Sequence, residues 1–200
     1  RMKVKKSDYS GRGYGHARVP ASKAVPKEML NIVDKPAIQY IVEEAVAAGI
    51  EDILIITNRG KGVIEDHFDH AFELETNLKD NASKQHIYEE LKAIANLANV
   101  ILSARRRQRA WPDAILRAKS FVGNEPFGIL YGDDVILSED PVIGQLCRAY
   151  EEFGFGAVGV KEVPREDVPK YCTLDVTPLR DNIMKCNNII EKPTPDQIMS

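Results

Sequence analysis

The sequence predicts an α/β fold: a doubly wound, mostly parallel sheet. Two stretches carry that expectation. The first runs from Pro36 to Ile56. Pro36 opens a helical pattern in which Ala37, Ile38, Ile41, Val42, Ala45 and Val46 mark one face, and Gly49 ends it. Ile53-Leu54-Ile55-Ile56 then forms a wholly apolar run, as a strand buried on both faces should. The second stretch is Phe127–Tyr131, apolar and closed by Gly132-Asp133-Asp134. A helix, a glycine and a short apolar strand make the α/β rhythm, and alternation of such units favours parallel pairing.

Taken in order, the remaining elements fit this rhythm unevenly. Residues 2–9 read poorly as a strand, because Lys3, Lys5, Lys6, Ser7 and Asp8 interrupt any apolar run. Residues 61–95 read as helical, with a polar break around Asp80–Lys84. Asn99–Ser103 reads as a brief strand, Pro112–Ser120 as the start of a helix and Pro141–Phe153 as a helix. Ala157–Val160 and Ile183–Glu191 read as further strands. His67 and His70, with Asp66 and Asp69, lack the H-E-x-x-H spacing of zinc hydrolases and are expected on an exposed helix face. Ligands of doubly wound sheets sit outside the carboxyl ends of the strands. Both Gly132-Asp133-Asp134 and the glycines that follow the first segment should fall at that edge.

The bulk numbers bound the class. Two hundred residues are expected to form one domain, 1–200, around one core. With 44% apolar and 28% charged residues the chain has an ordinary globular composition. A formal net charge of −3 gives no overall pull toward nucleic acid or membrane, and neither is expected as a partner. No run of about 18 apolar residues marks a membrane span. Cys147, Cys172 and Cys186 are odd in number and widely spaced, which argues against a disulfide framework and for a cytoplasmic location.

The chemistry-bearing residues begin at Ser10. Gly11, Gly13 and Gly15 alternate with other residues, and Arg18, Lys23 and Lys27 follow. Glycines let backbone approach a bulky anion, whose oxygens backbone N–H groups can then cradle. The spacing is neither that of a P-loop nor the dinucleotide fingerprint, so a flexible connector stays open on spacing alone. Asp133-Asp134 at a strand's end suits a hard divalent cation, and a solvated turn equally. Four arginines at 105, 106, 107 and 109 form a local basic patch around Gln108. A solvated face is the plainer reading of that patch, and phosphate or RNA contact the sharper one.

The segment from Pro20 to Thr57, P-A-S-K-A-V-P-K-E-M-L-N-I-V-D-K-P-A-I-Q-Y-I-V-E-E-A-V-A-A-G-I-E-D-I-L-I-I-T, closely resembles the bacterial UTP–glucose-1-phosphate uridylyltransferases. These UDP-glucose pyrophosphorylases are sugar nucleotidyltransferases. The similarity continues in order through E-D-H-F-D (65–69), N-L-A-N-V (96–100), A-K-S-F-V-G (118–123), G-D-D (132–134), E-V-P-R-E-D-V (162–168) and I-I-E-K-P (189–193). It covers almost all of the chain, and only the N-terminal part of a family member.

The resemblance implies a Rossmann-like nucleotidyltransferase fold and the joining of UTP and glucose 1-phosphate with Mg²⁺ as cofactor. It implies that Lys27 faces the triphosphate and that Gly11 and Gly13 hold the nucleotide. It implies that Gln108 reads the uracil edge, that Asp133 binds the metal and that Glu191 and Lys192 bind the sugar phosphate. Cys172 stands where relatives carry a glycine close to the sugar. The second carboxylate ligand of relatives lies further along than Ser200. A homo-oligomer stays open, since the region that often joins subunits in relatives also lies beyond that residue. The family's G-x-G-T-R arginine is replaced by Ala17; Arg18 takes its catalytic role only if the loop shifts by one residue. Where relatives have Gly-Leu-Gly, this chain has Ala110-Trp111-Pro112, and a proline has no N–H to offer a base. Two functions therefore stand side by side: the enzyme, and a catalytically impaired paralogue or fragment that serves as a regulatory or partner-binding subunit.

Overall fold

A computed structural model describes residues 3–7, 25–58, 62–105, 115–116, 118–132 and 134–199. The chain divides into two compact units, Arg1–Cys147 and Arg148–Ser200.

The first unit is built on four parallel strands: β1 (Lys3–Ser7), β4 (Asp52–Asn58), β5 (Asn99–Arg105) and β6 (Phe127–Tyr131), in the order β5-β4-β1-β6. Two short strands, β2 (Asn31–Ile32) and β3 (Lys35–Pro36), form a separate antiparallel hairpin. Helix α1 (Ala37–Ala47) follows it. Further helices are α2 (Gly62–Phe68), α3 (Phe72–Lys79), α4 (Gln85–Ala95) and α5 (Lys119–Val122), and α6 (Val142–Phe153) starts within this unit.

Strand β4 shows why the sheet is wound on both faces. Ile53 and Ile55 pack with Ile38, Ile41, Val42 and Ala45 of α1, with Ile64 and Phe68 of α2, and with Leu130 of β6. Leu54 and Ile56 point the other way, to Ala118 and Val122. Side chains alternate faces along a strand, so a continuous apolar run serves two helical layers at once. Helix α1 ends in a Schellman turn: Ile50 N–H bonds to Ala45 O at 3.1 Å and Gly49 N–H to Val46 O at 2.9 Å. Gly49 carries the left-handed φ of 81° that this turn needs. Ala45 and Ile50 both lie in the core cluster, so the turn aims the chain into β4.

The polar first segment does form a strand, against the reading of its composition. Lys3–Ser7 pairs in parallel with β4 on one side and β6 on the other, Lys3↔Asp52 through Ser7↔Ile56 and Lys3↔Phe127 through Ser7↔Tyr131. A backbone laddered on both sides is held by its N–H and C=O groups. Strand propensity measured from side chains is overridden by such context.

The second unit is dominated by an antiparallel hairpin of β7 (Cys172–Arg180) and β8 (Ile183–Glu191), turning at Asp181 with φ 47°. Ile183–Glu191 is a strand as expected. Strand β7 is one that composition concealed: Pro178 breaks its pattern, and the pairing absorbs it at a register shift between Pro178 and Arg180. The expected strand Ala157–Val160 does not form. Among the described residues it has no strand partner, Val158 and Val160 are exposed, and Gly156 and Gly159 weaken the local preference for extended pairing. Glu152 of α6 and Arg180 of β7 form an ion pair at 2.8 Å.

Candidate functional site

In the first unit, strands β4 and β5 run outward from one side of β1, and β6 lies on the other. The order of winding reverses between β1 and β6. In open α/β sheets the crevice outside the carboxyl ends at such a reversal is where ligands bind. Ser7 and Tyr131 are register partners, so the two strands end level with each other. From Ser7 the chain continues toward Gly11 and Gly13. From Tyr131 it passes into buried Gly132 and on to exposed Asp134. The Asp134 N–H lies 3.4 Å from Tyr131 O across that turn. Gly11, Gly13, Ala17, Arg18, Gln108, Trp111, Pro112 and Asp133 lie outside the described residues.

Lys27 belongs to the same edge. Residues 48–51 reverse the chain between α1 and β4, so the first turn of α1 stands over the carboxyl end of β4. His67, in the helix that follows β4, confirms this by bonding to Gln39 in that first turn, Nε2 to Oε1 at 3.0 Å. A 3-10 turn, Lys27–Met29, packs against α1. Met29 N–H bonds to Pro26 O at 2.8 Å and Leu30 N–H to Lys27 O at 3.2 Å. Glu28 is buried, at 1% exposure, and Met29 joins the core cluster.

The hairpin, α1 and α2 share a polar network that composition did not suggest. Lys35 Nζ contacts both carboxylate oxygens of Glu43, at 3.0 and 2.9 Å. Gln39 Nε2 donates to Glu43 Oε1 at 2.9 Å, which turns Gln39 Oε1 toward His67. The Tyr40 hydroxyl lies 3.0 Å from both Ile32 O and Asp34 Oδ1. The hydrogen bond to Glu43 raises the pKa of Lys35, and burial lowers that of His67. His67 therefore corrects the expectation of an exposed helix face: it is half-buried, edge-on to Phe68 at 5.0 Å. His70 also has a partner, Glu75 Oε1 at 3.0 Å. The i, i+4 spacing of Gln39 and Glu43 was the available signal for the network. A second missed group is Thr57, buried at the carboxyl end of β4, whose Oγ1 has no hydrogen-bond partner among the described residues.

In the second unit, Cys172, Glu191 and Lys192 come together. Cys172 and Glu191 are cross-strand partners, and Lys192 N–H bonds to Tyr171 O at 2.8 Å. Lys192 has φ 49°, a left-handed conformation that costs a residue with a Cβ about 1–2 kcal/mol. Such strain persists where the surroundings impose it, and it gathers at ligand sites. Pro193, next in the chain, is fully buried. Thr194–Gln197 forms a capping box. The Thr173 hydroxyl then ties in the following segment, with Met199 N 3.0 Å and Met199 O 3.2 Å away. Glu191 and Lys192 are exposed and Cys172 is half-buried.

The nucleotidyl transferase family model matches residues 11–199. The chain belongs to the nucleotidyl transferase family. Within it, the chain is 46% identical over 200 residues to a UTP–glucose-1-phosphate uridylyltransferase of Bacillus subtilis, covering 100% of this chain and 67% of that protein. It is 44% identical to the enzyme of that name from Mycoplasma pneumoniae, covering 99% of this chain and 68% of the relative. A crystal structure of UDP-glucose pyrophosphorylase complexed with UDP-glucose superposes with a TM-score of 0.83 at 31% identity, covering 99% of this chain and 72% of the other. The UTP-bound enzyme of Acinetobacter baumannii superposes with a TM-score of 0.84 at 32% identity, covering 98% and 69%. The chain thus spans about two thirds of the length of the curated nucleotidyltransferases it matches. The α/β fold with its parallel sheet is that of these pyrophosphorylases.

Proposed function

We propose that this nucleotidyltransferase forms UDP-glucose and pyrophosphate from UTP and glucose 1-phosphate. The observation that carries the reading is 46% identity over the whole chain to an enzyme named for that reaction. The winding reversal between β1 and β6 supports it, since ligands of open α/β sheets bind outside the carboxyl ends of the strands at such a reversal. Residues 1–200 would work as a single nucleotidyltransferase domain.

In this reaction a phosphate oxygen of the sugar attacks the α-phosphorus of UTP. A new P–O bond forms as the bond to the β-phosphate oxygen breaks, and pyrophosphate leaves with the electron pair. Little covalent chemistry falls to the protein, so positioning and charge stabilisation do the catalysis. Lys27, with Arg18, would offset charge on the triphosphate. Gly11 and Gly13 would hold the phosphates by backbone N–H groups, and Gln108 would read the base. Glu191 would accept from sugar hydroxyls while Lys192 meets the sugar phosphate, with Cys172 beside them.

A divalent cation, Mg²⁺ in this reading, would supply charge neutralisation between phosphates. The donors fit by type: Asp133 and Asp134, which follow β6 and Gly132 in the sequence, carry hard carboxylate oxygens. Mg²⁺ needs one or two of these, completing its shell with water and phosphate oxygens. Cys147, Cys172 and Cys186 form no disulfide, which fits a reducing compartment, so a cytoplasmic setting goes with the reading.

The test is pyrophosphate release from the purified chain. Release that requires UTP, glucose 1-phosphate and Mg²⁺ together is expected. Absence of release, in an assay where a full-length relative turns over, would overturn the reading in favour of a non-catalytic subunit.

A further inference from the structure

The hairpin between Lys27 and α1 cannot hold itself. It has only two residue pairs, Asn31↔Pro36 and Ile32↔Lys35, and Pro36 has no N–H to give. Two-stranded hairpins are at best marginal alone. Its turn is strained as well: Val33 is β-branched, 94% exposed, and held at φ 65°. Neither burial of the side chain nor a glycine explains that conformation. What holds it comes from α1. Tyr40 reaches back to Ile32 O and Asp34 Oδ1, and Glu43 grips Lys35 through both oxygens. Lys35 Nζ also lies 5.2 Å from the centre of the Tyr40 ring, so the two grips share a wall. Glu43 is fixed in turn by Gln39, and Gln39 by His67 of α2. Ala37 N–H bonds to Leu30 O at 3.1 Å, closing the base of the hairpin directly behind the Lys27–Met29 turn.

We propose that Tyr40, Glu43 and Lys35 are positioning residues: they clamp the strained Val33 hairpin onto α1 and thereby set where Lys27 stands. This rests on the reading of Lys27 as a triphosphate-facing residue. The clamp acts on kcat rather than on sugar binding, because it moves a charge donor at the reacting phosphates. A displacement of about 1 Å at a reacting centre can cost up to about 100-fold in rate.

The test combines kinetics with amide hydrogen exchange on Glu43→Gln, which keeps side-chain volume and removes the charge. Expected are faster exchange over residues 27–36 and a kcat about 10-fold lower, with KM for glucose 1-phosphate within about twofold. Val33→Gly, which removes the turn's strain, should restore most of the lost kcat in the Glu43→Gln background. A merely structural residue would not show that rescue. Lys27→Ala is measured beside it. Unchanged exchange over residues 27–36 in Glu43→Gln overturns the clamp and leaves the Lys27 reading standing. Faster exchange with full activity in both Glu43→Gln and Lys27→Ala overturns the Lys27 reading, and the proposal with it. Loss of kcat that Val33→Gly does not rescue overturns the strain argument on which the clamp stands.

Discussion

Two lysines mark the two units, and they are held by different physics. Lys27 sits in a short 3-10 turn whose neighbouring hairpin is gripped from outside, by half-exposed charged and polar side chains of α1. Lys192 sits at the end of a long hairpin and is held from within. Its own N–H is bonded to Tyr171 O, its φ is left-handed, and buried Pro193 follows. A half-exposed ion pair contributes about 0.2–1 kcal/mol and is weakened by salt. A backbone bend beside a buried proline is insensitive to both salt and pH. One basic group is therefore adjustable and the other fixed, although both are proposed to serve the same reaction.

The largest expected effects come from removing each lysine. Lys27→Ala and Lys192→Ala should each lower kcat/KM by about 10²–10³-fold, the usual loss for one preorganised charge donor. Lys192→Gly sharpens the contrast. It should lose the same activity as Lys192→Ala, yet leave the protein more stable than the alanine variant in urea denaturation, because glycine takes φ 49° without strain. Equal stability of the two would mean that the bend is not imposed.

Next comes the scaffold under Lys27. Ile53→Ala removes a side chain at 2% exposure that packs between α1 and α2. It should destabilise the first unit by about 2–5 kcal/mol, read as a lower denaturation midpoint. The second unit, folded on its own hairpin, should keep its midpoint if the two units unfold separately.

This contrast also shows what a sequence discloses. Helix α1 and strand β4 were legible because burial imposes periodicity: one apolar face at helical spacing, then four apolar residues in a row. Strand β1 was not legible, since its place between β4 and β6 is fixed by backbone pairing while three of its five residues are lysines. Ala157–Val160 misled for the converse reason, being apolar without a neighbour to pair with. Strand β7 was hidden by Pro178, which a register shift accommodates. At the candidate site, Glu191 and Lys192 were named only through family resemblance. No composition reveals that Lys192 is left-handed. The grip of Tyr40, Glu43 and His67 was missed because polar residues on a helix usually face solvent.

The smallest expected effect concerns pH. Burial lowers the pKa of His67 in the folded chain, so the unfolded chain binds more protons as pH falls below its ordinary value near 6.5. The stability that neutral His67 contributes is thus complete above that pH and is lost as pH drops through the folded value. His67→Gln keeps a partner for Gln39 without titrating. Between pH 7 and pH 5 the Tm of the wild type should fall more steeply than that of this variant. Parallel slopes would remove His67 from the grip.

The most direct measurement is isothermal titration of UDP-glucose into the folded chain, with and without Mg²⁺, repeated for Lys27→Ala and Lys192→Ala. We expect saturable binding to the wild type that tightens with Mg²⁺, and weaker binding to both variants. Absence of binding at millimolar UDP-glucose would contradict the account, leaving a nucleotidyltransferase fold that has kept its sheet without a working pocket.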